Sequence, residues 1–260
     1  MSPVAVVVLS CDKYADLWDG FFQHFWRAWP DCPYPVYLFS NTVVARDERV
    51  VTVLSGDEVS WSDSVKRCLL QVDADHVLLI QDDFYLRGRV KSAVIGLAWE
   101  VMCAEDAFYC RLVPDGARWL RGRVGVEGGF RWISPLSAFR ISNQASIWRR
   151  ESLLGFLVDG ESPWQFEVLG SERTRSSRFG FLSTSQPALD YDGHGVLVRG
   201  RWTRRALREF YGGRPAGLLR RESLTRFEEL VLGLRTVEFG LVMSACQRCV
   251  RAWNLRRVSQ

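Results

Sequence analysis

Two adjacent carboxylates, Asp82 and Asp83, follow the apolar run His76-Val77-Leu78-Leu79-Ile80 and Gln81. Acids placed side by side at the end of a buried strand repel each other, and a divalent cation relieves that repulsion. Mg2+ and Mn2+ are commonly held by one or two carboxylates together with substrate phosphates. The pair therefore points to metal-assisted chemistry on a phosphate-bearing substrate. The plain alternative is a solvated strand end that happens to be acidic. Asp12 and Asn41 stand just beyond two other apolar runs, Val4 to Leu9 and Val36 to Phe39. His194, between Gly193 and Gly195, is a candidate metal ligand because neutral imidazole binds metals; the alternative is an ordinary turn histidine.

The elements that must position these residues follow from periodicity. Val4 to Leu9, Val36 to Phe39, Val50 to Leu54 and His76 to Ile80 read as strands, the continuous apolar runs being those of strands buried on both faces of a parallel sheet. Between them, Leu17 to Ala28 carries Phe21, Phe22 and Phe25 at helical spacing, and Val65, Cys68, Leu69 and Val72 follow i, i+3, i+4, i+7 after a polar start at Trp61 to Ser64. A further helix is expected over Val94 to Cys103. Alternating strands and helices predict an α/β fold with a central, mostly parallel sheet flanked by helices. Ligands of such sheets bind beyond the carboxyl ends of the strands, where Asp12, Asn41, Asp82 and Asp83 all fall.

Later signals are weaker. Arg111 to Gly129 reads as loops or short strands, Phe139 to Trp148 as a strand and Glu151 to Val158 as a helix. Ser162-Pro163-Trp164-Gln165 has the cap, the first-turn proline and the capping-box partner of a helix start, with Gly170 expected to end that helix. Ser171 to Arg178 reads as polar and mobile. Ala188 to Tyr191 and Val196 to Val198 read as short strands. From about residue 216 the pattern is that of a basic, amphipathic helical extension. It can pack on the rest of the chain or on a second subunit, or lie on an anionic membrane surface; packing is favoured.

The 260 residues carry a net charge of +4, with 47% hydrophobic and 25% charged residues, an ordinary globular balance. All but three of the basic residues are arginine. No compact basic stripe interleaves with aromatics, so nucleic acid is not an expected partner. Seven cysteines, with paired spacing only at Cys246 and Cys249, suit a reducing compartment. No apolar run is long enough to span a bilayer, and no basic segment precedes Val4 as in a secretory signal. A cytoplasmic protein is expected, with peripheral contact at the inner face of the membrane if the extension binds lipid.

Taken together, the strand and acid pair His76 to Asp83, the opening strand with its Ser10–Tyr14 loop, and the segments Asn143 to Arg150 and Gly160 to Glu167 resemble GT-A-fold glycosyltransferases. They are similar to bacterial enzymes of surface-polysaccharide biosynthesis. The resemblance covers roughly residues 4 to 202. It implies a GT-A-like catalytic domain over 1–215, with a nucleotide-sugar half to about 105 and an acceptor half to about 215, and a helical extension over 216–260. It implies transfer of a sugar from a nucleotide-diphosphate sugar to a saccharide or lipid-linked saccharide, with inversion. Asp83 and His194 would meet a divalent cation, Mn2+ or Mg2+, with Asp82 beside the diphosphate. Asp12, Tyr14 and Asn41 would lie near the base or ribose, and Lys66, Arg199 and Arg201 near phosphate, although Lys66 is equally readable as an exposed helix lysine and the two arginines as surface residues. Glu167 would be the general base, its pKa held down by the helix N-terminus, with Glu161 and Asp159 as neighbouring rivals. Glu161 and Trp164, whose ring suits sugar stacking, would form the acceptor side. Gln81 stands where a strict DxD motif has its first acid, which leaves open which carboxylate binds metal and whether one is needed.

Two alternatives differ in class. A nucleotidyltransferase acting on a sugar phosphate would need a glycine-rich phosphate loop after the first strand, and Ser10-Cys11-Asp12-Lys13-Tyr14 has no glycine. A non-catalytic nucleotide-sugar-binding protein would bind donor without turnover. A homo-oligomer is compatible with either.

Overall fold

The computed structural model describes residues 3–57, 59–114, 125–213 and 220–233. In chain order the elements are β1 (Val4–Leu9), α1 (Trp18–Ala28), β2 (Val36–Ser40), β3 (Val50–Leu54), α2 (Trp61–Leu69), β4 (His76–Gln81) and α3 (Ser92–Ala104). There follow β5 (Tyr109–Arg111), β6 (Gly125–Val126), β7 (Phe130–Trp132), β8 (Ser146–Arg149), α4 (Arg150–Phe156), α5 (Pro163–Arg173) and β9 (Phe181–Thr184), and then a hairpin of β10 (Leu197–Val198) and β11 (Arg201–Trp202) before α6 (Arg204–Tyr211).

Nine strands form one sheet in the order β3-β2-β1-β4-β8-β5-β9-β7-β6. β1 to β4 pair in parallel. β8 enters antiparallel between β4 and β5, and β7 runs antiparallel to β9. The remaining strands share one direction, so the sheet is mostly parallel, as the alternating elements predicted. β1 shows why the run Val4 to Leu9 must be a central strand: Val4, Val6 and Val8 pack into one layer with Phe21, Phe25 and Trp29. Ala5, Val7 and Leu9 pack into the other with Val65, Cys68 and Leu69. Each fully buried side chain of this size contributes about 1.5–3 kcal/mol.

The second half departs from the sequence reading in several places. The strand expected over Phe139 to Trp148 is confined to Ser146–Arg149, because Arg140 turns inward. Its guanidinium, fully buried, donates to the carbonyls of Ile133 at 3.2 Å, Thr174 and Ser177 at 2.5 Å each, and Arg178 at 3.2 Å. The same grip corrects the expectation of a mobile Ser171 to Arg178: Ser171 and Thr174 are buried. Gly170 does not end α5, which continues to Arg173; a Cβ there would lie 3.3 Å from Ile141, so the glycine serves close packing. Ala188 to Tyr191 is not a strand. Its groups are used singly, Ala188 N–H on Leu112 O at 2.8 Å and the Tyr191 ring stacked on Phe84 at 4.6 Å. The cap of α2 is Ser60, whose Oγ accepts from Asp63 N–H.

Of the expected extension, residues 220–233 are described, helical from 226, and they pack on the domain: Leu224 is buried. The rest of it, with the Cys246 and Cys249 pair, lies outside the described residues. No described helix is long and apolar enough to cross a membrane.

Candidate functional site

Register sets the site. Leu9 pairs with Phe39 on one side and Gln81 on the other, so the segments after β1, β2 and β4 leave the sheet at one rim. They wall a cavity of about 330 Å³ lined by Ser10, Tyr14, Asn41, Trp61, Asp82 and Asp83 among others, with Pro163 at the start of α5.

Asp82 is buried. Its carboxylate accepts from Ser10 Oγ, which in turn accepts from Trp18 Nε1 at 2.7 Å. Burial, and then the Asp83 charge beside it, push the Asp82 carboxyl well above the usual range. Burial also lifts Asp83, to about 7. Its Oδ1 is buried with no hydrogen-bond partner. A buried carboxyl oxygen without a donor is costly unless something arrives to meet it.

The turn carrying His194 is built onto Asp83. The Asp83 carbonyl accepts from Val196 N–H at 2.8 Å. Gly195, at φ +75°, sits so close that a Cβ would overlap the Asp83 carboxyl. His194 itself is exposed. Asp192 anchors the turn, accepting from His194 N–H at 3.1 Å and from Arg87 at 3.2 Å. Gln144 Nε2 donates to Gly193 O at 3.1 Å, and Tyr191 donates to Gln144 Oε1 at 3.1 Å. Among the described residues no three His, Cys, Asp or Glu side chains gather as a complete ligand set. The unpartnered Asp83 oxygen and the adjoining Asp82 fit a divalent cation whose sphere is completed by phosphate and water, the usual Mg2+ arrangement.

Asp12 is placed at the rim but used differently from the expectation. Its carboxylate accepts from Ser40 Oγ at 2.7 Å, from the N–H groups of Asn41, Thr42 and Val43 at 3.0–3.1 Å, and from Thr42 Oγ1 at 2.5 Å. Burial pushes its carboxyl up, but the bonds from Thr42, Ser40 and Val43 outweigh it and hold the group well below the usual range. With its own N–H on Asn41 Oδ1 at 3.1 Å, Asp12 clasps the β1 and β2 ends together. Asn41 and Tyr14 line the cavity; Asp12 does not.

Lys66 and Arg199 are not brought to the acid pair. The Lys66 amine pairs with Asp159 at the surface. Arg199, at φ +52°, and Gly200 make the tip of the β10–β11 hairpin, the left-handed pair such two-residue turns require. Arg199 lines a separate groove with Leu224 and Phe227.

α5 carries the acceptor-side candidates. Its capping box is present as expected, Ser162 Oγ accepting from Gln165 N–H and the Gln165 side chain from Ser162 N–H. Glu167 Oε1 accepts from Asn143 N–H at 2.6 Å and Ser142 Oγ at 3.0 Å. Burial raises its pKa, with those bonds opposing. The expected lowering by the helix N-terminus fails because Glu167 lies beyond the first turn, where the dipole fades. Gln81 Nε2 donates to Asn143 O at 3.4 Å, linking the Glu167 segment to the end of β4. Trp164 packs on Phe139 with ring centres 5.7 Å apart. Glu161 is buried and committed to a two-pronged pair with Arg173 at 2.6 and 2.9 Å, so it stabilises the α5 entry instead of facing an acceptor.

Ser10 lies in the Ser10–Tyr14 loop, and its bond to Asp82 spans 72 positions of sequence and leaves no local signature. Gln144, Tyr191 and Arg221, which borders Tyr14, left no local signal, since their partners are far away in sequence.

No protein-family model matches the chain, and no curated protein matches it. Among solved structures, it is similar to S. aureus TarS 1-349 in complex with UDP-GlcNAc at 11% identity and TM-score 0.49, over 72% of this chain and 57% of that one. It is similar to an active-site mutant of LgtC at 10% identity and TM-score 0.39, over 68% and 71%. It is also similar to CMP:2-keto-3-deoxy-manno-octonic acid synthetase complexed with CTP at 12% identity and TM-score 0.38, over 70% and 88%. The chain thus spans less than two thirds of the TarS fragment. These are likenesses of outline, and the functional reading rests on the site itself.

Proposed function

We propose that this chain is a glycosyltransferase of GT-A type, taking a sugar from a nucleoside diphosphate donor and passing it, with inversion, to a saccharide or lipid-linked saccharide. The observation that carries the reading is the buried acid pair at the rim of the cavity, with one Asp83 oxygen lacking a donor. A neutral substrate would leave that oxygen unmet. A diphosphate brought with a divalent cation would meet it and would relieve the repulsion between Asp82 and Asp83. Asn41 and Tyr14 then face the nucleoside side of the cavity.

Asp83 would hold the cation, with His194 on the adjoining turn as a further ligand; the cation supplies charge to stabilise the departing diphosphate. In the transfer the acceptor hydroxyl oxygen bonds the anomeric carbon as the bond from that carbon to the diphosphate oxygen breaks. Glu167 takes the hydroxyl proton. Its carboxyl is lifted by burial towards the working range of a general base, and Ser142 and Asn143 fix its direction through Oε1.

The test is thermal stability against ADP, CDP, GDP, UDP and dTDP and the matching triphosphates, with and without MnCl2. A ligand of the folded state raises the melting temperature by mass action. A rise with one diphosphate, larger with Mn2+ and absent in Asp83→Ala, is expected. A rise confined to a triphosphate would favour nucleotidyl transfer. With the donor known, Glu167→Gln is expected to lower transfer by about 10²–10⁴-fold with donor binding unchanged; near-normal turnover would remove Glu167 from the base role.

A further inference from the structure

Arg221, in the last described segment of the chain, backs the Lys13–Tyr14 wall of the cavity. Its Nε and Nη2 grip both carboxylate oxygens of Asp16, at 2.8 and 2.7 Å. Nη2 also donates to the Lys13 carbonyl, and the guanidinium lies 4.7 Å over the Tyr14 ring. Three features of one loop, the Lys13 carbonyl, the Tyr14 ring and the Asp16 carboxylate, are thus held by one planar group. An arginine fork can make such a set of contacts, whereas a lysine ammonium cannot.

The two ends of the loop are fixed without Arg221, by the Asp12 clasp and by Leu17, whose carbonyl accepts from Tyr85 Oη at 2.9 Å; the Arg221 hold falls between them. The 3₁₀ turn Asp12–Leu17 that forms the loop starts without a side-chain cap. Arg221 itself is firmly based. The residue after it accepts through its carbonyl from Trp202 N–H at 2.8 Å, and Leu224 N–H donates to Trp202 O at 2.8 Å. Arg201 binds both Glu228 oxygens at 2.6 and 3.1 Å. The guanidinium is therefore delivered from the segment bonded to β11, remote in sequence from the loop, and the Arg221 side chain is only 14% exposed.

We infer that Arg221 is a positioning residue for the nucleotide side of the site, acting through Asp16 and Lys13 to hold the Tyr14 wall in its binding shape. The inference deepens the reading of this cavity as a donor site and rests on it. The segment after α6 is then part of the donor machinery, not an appendage to it.

The experiment uses the full chain and three single variants, Arg221→Ala, Arg221→Lys and Asp16→Asn, with the double variant Arg221→Ala/Asp16→Asn. Amide hydrogen exchange is followed without ligand. Faster exchange over residues 11–17 is expected in every variant, by about ten-fold or more, the worth of a charge-assisted bond, with exchange in β1 and β4 unchanged. Wild-type exchange over 11–17 in Arg221→Ala and Asp16→Asn would overturn the inference.

Calorimetric titration with ADP, CDP, GDP, UDP and dTDP in MnCl2 follows. Arg221→Ala and Asp16→Asn should weaken the nucleotide that binds by similar factors, and the double variant should be no weaker than either, because the two act through one contact. Weakening in Arg221→Ala but not in Asp16→Asn would make Arg221 a direct phosphate ligand and overturn the positioning role. If wild type binds none of the five while exchange changes as expected, the donor reading fails and the structural hold stands. Asp16→Asn removes the clamp from the other side, so the outcome does not depend on Arg221→Ala folding.

Discussion

Burial lifts the Asp83 carboxyl to about 7, against an ordinary value near 4 in the unfolded chain. The folded state therefore holds a proton there that the unfolded state has lost. Stability from this group is fully present below about pH 4 and is lost as pH rises through about 7. Asp83→Asn keeps the neutral form at every pH. It should be more stable than wild type at pH 8, by on the order of 2 kcal/mol after allowance for partial solvation, and equal to it near pH 4. Urea denaturation at the two pH values checks this; the same difference at both would mean that burial does not tax the charge. The same variant should lose nucleotide binding. Asp12 is the opposite case, a carboxylate held low by its donors, so its contribution is lost only as pH falls. The acid pair was legible from sequence because the run before it has the length and unbroken apolar character of a buried strand. The clasp made by Asp12 was not, because all its donors sit on another strand's end.

Elements were legible in proportion to their length and periodicity. β1, β2, β3, β4 and α1 stand where the apolar pattern places them, and α5 begins where Ser162, Pro163 and Gln165 announce it. β5, β7 and β9 are too short for any period to show, and their strand state comes from neighbours in the sheet. Arg140 organises that part of the fold. Burial pushes its guanidinium down to about 10, yet four carbonyls surround it. Arg140→Lys leaves most of those carbonyls without donors, at about 1–3 kcal/mol each. It is expected to lower the unfolding free energy by about 3 kcal/mol or more, read from the urea midpoint. A loss below 1 kcal/mol, in the range of a surface change, would show that water replaces the guanidinium. Ser162→Ala should cost only about 1 kcal/mol, a useful contrast on the helix that carries Glu167.

For the whole molecule, the alternation of strands and helices over the first hundred residues was enough to give a mostly parallel sheet. The reversed strand β8 was beyond reach, since its partners lie in both halves. One surface has the charge and apolar exposure that an anionic membrane would attract. Arg204, Arg205, Arg208 and Arg226 line an open depression with Leu230 and one acid, Glu229, and Phe227 and Leu230 are 73% and 62% exposed. Each arginine near an anionic membrane contributes about 1 kcal/mol. The chain is expected to sediment with phosphatidylglycerol vesicles and not with phosphatidylcholine vesicles, and to lose this in Arg204→Glu/Arg208→Glu/Arg226→Glu. Undiminished sedimentation of that variant would exclude this face. The strand order has a further consequence, in the sequence of events by which the chain folds. β1 to β4 close among themselves within the first third of the polypeptide, whereas β5 must wait for β9, and β4 for β8. Pairings so distant in sequence are slow to form, and a nascent chain folds from its N-terminus. The rim that presents Asn41, Asp82 and Asp83 would thus take shape while the later strands are still being synthesised. The edge of β4 would stay open to wrong partners until β8 emerges to cover it.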